Sequence, residues 1–129
     1  MKSLEQARLY LLKAAEDEAL LDEVLTSSRV SDGVIGFHCQ QAVEKLLKAY
    51  LSFLGVRFRK THDLRELMDL LEDQGYKLPE RFQDLDQMTP YAVEFRYGLL
   101  ASAEDAPLDR HATRRLVQEL RGWVEQELL

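Results

Sequence analysis

The stretch from Gly33 to Leu54 constrains this chain more than any other. Ile35, Cys39, Ala42, Val43, Leu46, Tyr50, Phe53 and Leu54 recur at about 3.6 residues, the spacing that gathers side chains on one face of an α-helix. His38, Gln41, Lys45, Lys48 and Ser52 fall on a neighbouring polar stripe. Ser31 and Asp32 are N-capping residue types ahead of it, and Gly55 stands where a left-handed C-terminal cap belongs. A long helix with so broad an apolar face must bury it against other elements.

The remaining sequence supplies helical partners. Residues 4–26 carry Leu4, Ala7, Leu11, Leu12, Ala15 and Ala19 as an apolar recurrence, with Lys13, Glu16, Asp17 and Asp22 around it. Thr26, Ser27 and Ser28 close that segment. Asp63 followed by Glu66 reads as a capping box, opening a short third helix with Leu64, Leu67, Met68, Leu70 and Leu71 and ending at Gly75. Pro79 suits the first turn of a fourth helix carrying Phe82, Leu85 and Met88. Thr89-Pro90 is expected to break or kink it, and helix resumes through Tyr91, Val93, Phe95 and Tyr97. After a loop from Gly98 to Pro107, a last helix carries Leu116, Leu120, Trp123 and Val124.

With 3 prolines and 6 glycines in 129 residues, there are too few turn residues for an all-β meander. No repeat, low-complexity tract or strand-like alternation is present. Short loops make consecutive helices antiparallel neighbours. The expectation is an all-α, up-and-down antiparallel four-to-five-helix bundle, with residues 1–129 as one domain. No apolar run approaches the roughly 20 residues that span a bilayer, and the N-terminus lacks the apolar stretch of a signal peptide, so no membrane role is expected. The single cysteine, Cys39, excludes an internal disulfide and a cysteine-based zinc cluster, which fits a cytoplasmic protein. A net charge of −6 argues against wrapping long nucleic acid but leaves room for a local basic pocket.

Two stretches carry chemistry. One is Phe37-His38-Cys39-Gln40-Gln41-Ala42-Val43-Glu44-Lys45-Leu46-Leu47-Lys48-Ala49-Tyr50-Leu51; the other, after a short loop, is Lys60-Thr61-His62-Asp63-Leu64, with Arg96-Tyr97 following much later. Their order and spacing resemble the HEPN family, the helical domain named for nucleotide binding in higher eukaryotes and prokaryotes. The resemblance covers most of the chain. It implies a four-to-five-helix bundle, a homodimer, and pairing with a small nucleotidyltransferase. It also implies kinship with metal-independent ribonucleases of toxin–antitoxin systems, which need neither metal nor cofactor. In those, an Arg and, after four to six intervening residues, a His meet in the dimer cleft: the His moves protons at the 2′-hydroxyl or leaving oxygen, and the Arg neutralises phosphoryl charge.

This chain departs from that signature. Arg96 matches the late arginine, but Ala101, Ser102 and Ala103 stand where the histidine belongs, and His111 is too far along. Arg57 and His62 satisfy the spacing formally, within a loop rather than at the late helix, and a chance match in an arginine-rich chain accounts for them as well. If the chain is a ribonuclease, Arg57, Arg96 and His62 are its catalytic candidates.

The phosphate-binding or nucleotide-binding candidates are Arg57, Arg59, Lys60, His62, Gln41, Lys45, Lys48, Arg96 and Tyr97. Arg57, Arg59, Lys60, His62 and Arg65 cluster ahead of a helix N-terminus, whose dipole favours an anion, and Phe58 could stack a base. The plainer account is a solvated loop in which Thr61 and Asp63 cap the helix. Likewise Gln41, Glu44, Lys45 and Lys48 line either a nucleotide cleft or dimer seam, or a solvated face with an i,i+4 Glu44–Lys48 pair. His38 reads as a half-buried, hydrogen-bonded histidine, and Arg110, Arg114, Arg115 and Arg121 as balancing Glu119, Glu125 and Glu127. The leading expectation is a nucleotide-binding or RNA-phosphate-binding, or nucleotidyltransferase-partner, protein without robust catalysis. The alternatives are a metal-independent endoribonuclease and a structural dimerisation module.

Overall fold

The computed structural model describes residues 3–92 and 107–128. The protein is an all-α helix bundle. Its principal helices are α1 (Leu4–Val24), α2 (Asp32–Leu54), α3 (Leu64–Asp73) and α4 (Arg110–Glu127). A further helical segment opens at residues 89–92. Arg96, Tyr97 and the expected loop at 98–106 lie outside the described residues.

The central element is α2, which packs against α1, α3 and α4. Ile35, Cys39, Ala42, Val43, Leu46 and Tyr50 are buried along it, the face expected from their spacing. Its ends are capped as the sequence implies: Ser31 Oγ accepts from Val34 N–H, and Gly55 closes the helix at φ 76°. The Ser3 N–H donates to Ser52 O, tying the start of α1 to the end of α2 and making the two antiparallel. Helix α4 runs parallel to α2, since Arg110 pairs with Asp32 at their starts and Tyr50 donates to Glu127 near their ends.

Three expectations change. The buried face of α1 is Ala7, Ala14, Asp17, Glu18 and Leu21, whereas Leu4, Leu12 and Ala19 are exposed. The apolar recurrence selected the inner side only in part: Ala7 is buried and Leu11 packs against the core, but it passed over two inner carboxylates that are satisfied by partners distant in sequence. Next, the segment after Pro79 is not an α-helix but two 3₁₀ turns, Glu80–Phe82 and Leu85–Met88. Its buried Phe82, Leu85 and Met88 are spaced by three, the period at which 3₁₀ side chains eclipse and share one face.

Finally, Thr89-Pro90 starts a helix instead of breaking one. Thr89 is helical at φ −51° and ψ −43°, and its hydroxyl accepts the Leu64 N–H, while Pro90 sits in the first turn, where no N–H is needed. This segment closes onto α2 at Gly36, where a Cβ would come within 3.0 Å of the Tyr91 ring.

Candidate functional site

The two motif stretches meet around one buried carboxylate. Glu44, on α2, is 4% exposed. Its Oε2 accepts from Lys48 Nζ at 2.9 Å, one helical turn away. Its Oε1 lies 2.7 Å from His62 Nδ1 and accepts from Gln40 Nε2 at 3.2 Å. Gln40 Nε2 also donates to the His62 carbonyl at 3.0 Å, and Gln40 Oε1 accepts from Gln41 Nε2 at 2.7 Å. A carboxylate only accepts, so Nδ1 of His62 is the donor in this contact. Burial strengthens each of these contacts and makes an unpaired member costly, so the network fastens the α2–α3 loop to α2. The Glu44–Lys48 pair expected on a solvated face is therefore buried instead: Lys48 is 8% exposed.

A second cluster lies on the same helix towards α1. Asp17, 8% exposed, takes His38 Nδ1 at 2.9 Å and Lys45 Nζ at 2.6 Å. His38 is thus the half-buried, hydrogen-bonded histidine expected. Lys45 belongs to this cluster and not to the Glu44 group. On the far side of α1, Glu18 and Asp22 hold Arg114 and Arg121 of α4. Of the partners expected for the α4 arginines, only Glu125 is found among the described residues, on Arg121; Glu119 pairs with Arg81 and Glu127 accepts from Tyr50. Most of these arginines reach across to α1 or its following loop because the helix pairing brings opposite charges together there.

The basic loop is less open to phosphate than its composition implies. Arg59 is held by Glu66 through contacts of 2.7 and 2.9 Å, which raises the Arg59 pKa and lowers that of Glu66. Glu66 is spent on Arg59, so the reciprocal half of the expected capping box gives way to this ion pair. Arg65 reaches Asp69, Asp86 and the Gln83 carbonyl. The α3 N-terminus is also occupied by its own caps: Asp63 accepts from Arg65 N–H, and Thr89 from Leu64 N–H. Phe58 tilts against Tyr10 at 6.1 Å and lies beneath the Lys48 ammonium, 5.7 Å from its ring centroid.

Arg57 and Lys60 are different. Both are exposed, and among the described residues no carboxylate pairs with either. Arg57 lines a groove of about 290 Å³ with Gln6, Ser52, Gly55, Val56 and Phe58. Residues bearing a cation, a hydroxyl, an amide and an aromatic ring thus line one groove, and Phe58 links it to Lys48 of the Glu44 network.

Of the residues expected to bind phosphate, the structure brings Lys48 and His62 together on Glu44 and sets Arg57 beside them across Phe58. Gln41 joins the same network only through Gln40, while Arg59 and Lys45 are neutralised elsewhere. Gln40 and Asp17 were missed. The i,i+4 row Gln40–Glu44–Lys48 was available to find the first, but Asp17 meets His38 and Lys45 only through the tertiary fold.

A family model described as HEPN domain matches residues 7–127. No curated protein and no solved structure matches the chain.

Proposed function

The chain belongs to the HEPN domain family, and on that premise we propose that it binds a nucleotide or RNA phosphate at the Arg57 groove, without robust catalysis. The observation that carries this reading is the contrast in pairing. Arg59, Arg65, Lys48 and Lys45 are each neutralised by a carboxylate of the protein, whereas Arg57 and Lys60 have none among the described residues and Arg57 faces a concavity. An exposed guanidinium beside a hydroxyl and an amide is suited to a phosphate oxygen. The chain would act as a homodimer and serve a small nucleotidyltransferase, in a module of the toxin–antitoxin type. The absent late histidine supports a binding role over cleavage.

Fluorescence anisotropy of a labelled ATP and a short labelled RNA at low salt tests the reading. Binding should weaken as salt rises, and Arg57→Ala should lower affinity on the order of tenfold, as loss of a charge-assisted contact does. Arg59→Ala should have little effect. Absence of binding, or equal loss in both variants, refutes it.

One observation favours a second reading. The His62–Glu44 contact at 2.7 Å fixes a ring nitrogen as donor and, in the neutral ring, leaves the other as base, the arrangement of an oriented general base. RNA cleavage in EDTA that His62→Ala abolishes would establish an endoribonuclease instead.

A further inference from the structure

Among the described residues, four of the five exposed large hydrophobic side chains lie on one helix: Leu4 (43% exposed), Leu9 (56%), Leu12 (60%) and Leu20 (40%), all on α1. Three of them belong to a single i,i+4 row, Leu4–Arg8–Leu12–Glu16–Leu20, every member of which is exposed. Arg8 and Glu16 have no ion-pair partner among the described residues, unlike Asp17, Glu18 and Asp22 of the same helix. Read backwards, the row is unchanged except that Arg and Glu exchange places. That is the condition for a helix face to be complementary to itself about a twofold axis.

We propose that this α1 row is the seam of an antiparallel homodimer, with the twofold axis through Leu12. In that register Leu12 meets Leu12, Leu4 meets Leu20, and Arg8 meets Glu16 twice. Rows of this i±4n kind interdigitate at an interaxial angle of about −50°, the commonest helix-packing class. The row spans about 24 Å at 1.5 Å per residue, a seam long enough to set the register. Leu4, Glu5, Arg8, Leu9 and Leu12 also enclose a shallow groove of about 410 Å³, which would receive Leu20 of the second copy. A second copy is the occupant because the charge order matches this same sequence reversed. An unrelated apolar partner would need only the leucines. The proposal deepens the homodimer part of the functional reading and rests on it, but not on phosphate binding.

Sedimentation equilibrium of the full chain over a concentration series tests it. The wild type should show twice the 15.0 kDa chain mass. Leu12→Glu, at a largely exposed position, should give the single-chain mass with unchanged helical circular dichroism. Arg8→Glu and Glu16→Arg should each weaken association at least about tenfold, since each sets like charges together twice. Mixed in equal amounts, these two variants should re-form a dimer, because each then meets its complement. A wild type of single-chain mass overturns both the seam and the homodimer reading. A wild-type dimer that Leu12→Glu leaves intact, or two charge variants that fail to recombine, overturns the seam alone.

Discussion

Replacing Glu44 with Gln isolates electrostatics from packing, because volume is conserved while the counter-charge of Lys48 is removed. Lys48 is 8% exposed and its ammonium lies 2.9 Å from Glu44 Oε2. Removing one partner of a buried pair costs about 3–5 kcal/mol, because the other is left buried and uncompensated. Lys48 retains some access to solvent and lies near the Phe58 ring, which places Glu44→Gln near the lower bound, about 3 kcal/mol. At about 3–5 °C per kcal/mol for a chain of this size, that is a fall in Tm of about 10 °C. Urea titration should show a lower midpoint with an unchanged m-value. Adding Lys48→Met removes the orphaned ammonium while keeping an aliphatic stem, and should recover all but about 1 kcal/mol. A loss below about 1 kcal/mol in Glu44→Gln, or a double variant no more stable than the single, would refute the argument that this carboxylate holds a buried charge.

Two further outcomes follow from the same charge map. Asp32 is held below the usual carboxylate range by its hydrogen bond to Arg110, Asp22 by Arg114 and Glu66 by Arg59. Depressed folded-state values mean that this stability is complete above the unfolded value of about 4 and is lost as pH falls through the folded one. The urea midpoint should therefore be level near neutrality and drop below about pH 4, with a shallower drop in Asp32→Asn; a midpoint that climbs on acidification contradicts the pairing. Burial pushes the Cys39 thiol up to about 12, so a disulfide reagent at mildly alkaline pH should label native protein far more slowly than urea-unfolded protein. Equal rates would place Cys39 outside the core.

What could be read in the residues is what depends on near neighbours. The α2 face, the Ser31, Asp63 and Gly55 caps and the left-handed Gly75 after α3 are legible because helical periodicity and capping act within a few residues. The fourth helix failed because spacing by three serves 3₁₀ turns as well as α-helices, and packing of Phe82, Leu85 and Met88 against the core chose between them. The basic loop was legible as a run of cations but not as a site. Whether each cation was available depended on Glu66, Asp86 and Glu44, and Asp86 stands 21 positions beyond Arg65.

Left to itself, the chain's pattern of apolar spacing and caps determined an all-α bundle, because those signals act on the helices one at a time. Only the assembled bundle decided which distant charges face one another, since Asp17 and Glu18 acquire their partners by helix pairing and Glu44 meets His62 through the returning α2–α3 loop. The same packing turned Leu4, Leu9, Leu12 and Leu20 of α1 outward and left Arg57 beside a groove. A lone side chain does not carry its desolvation or its counter-ion with it; both are properties of what the fold places around it.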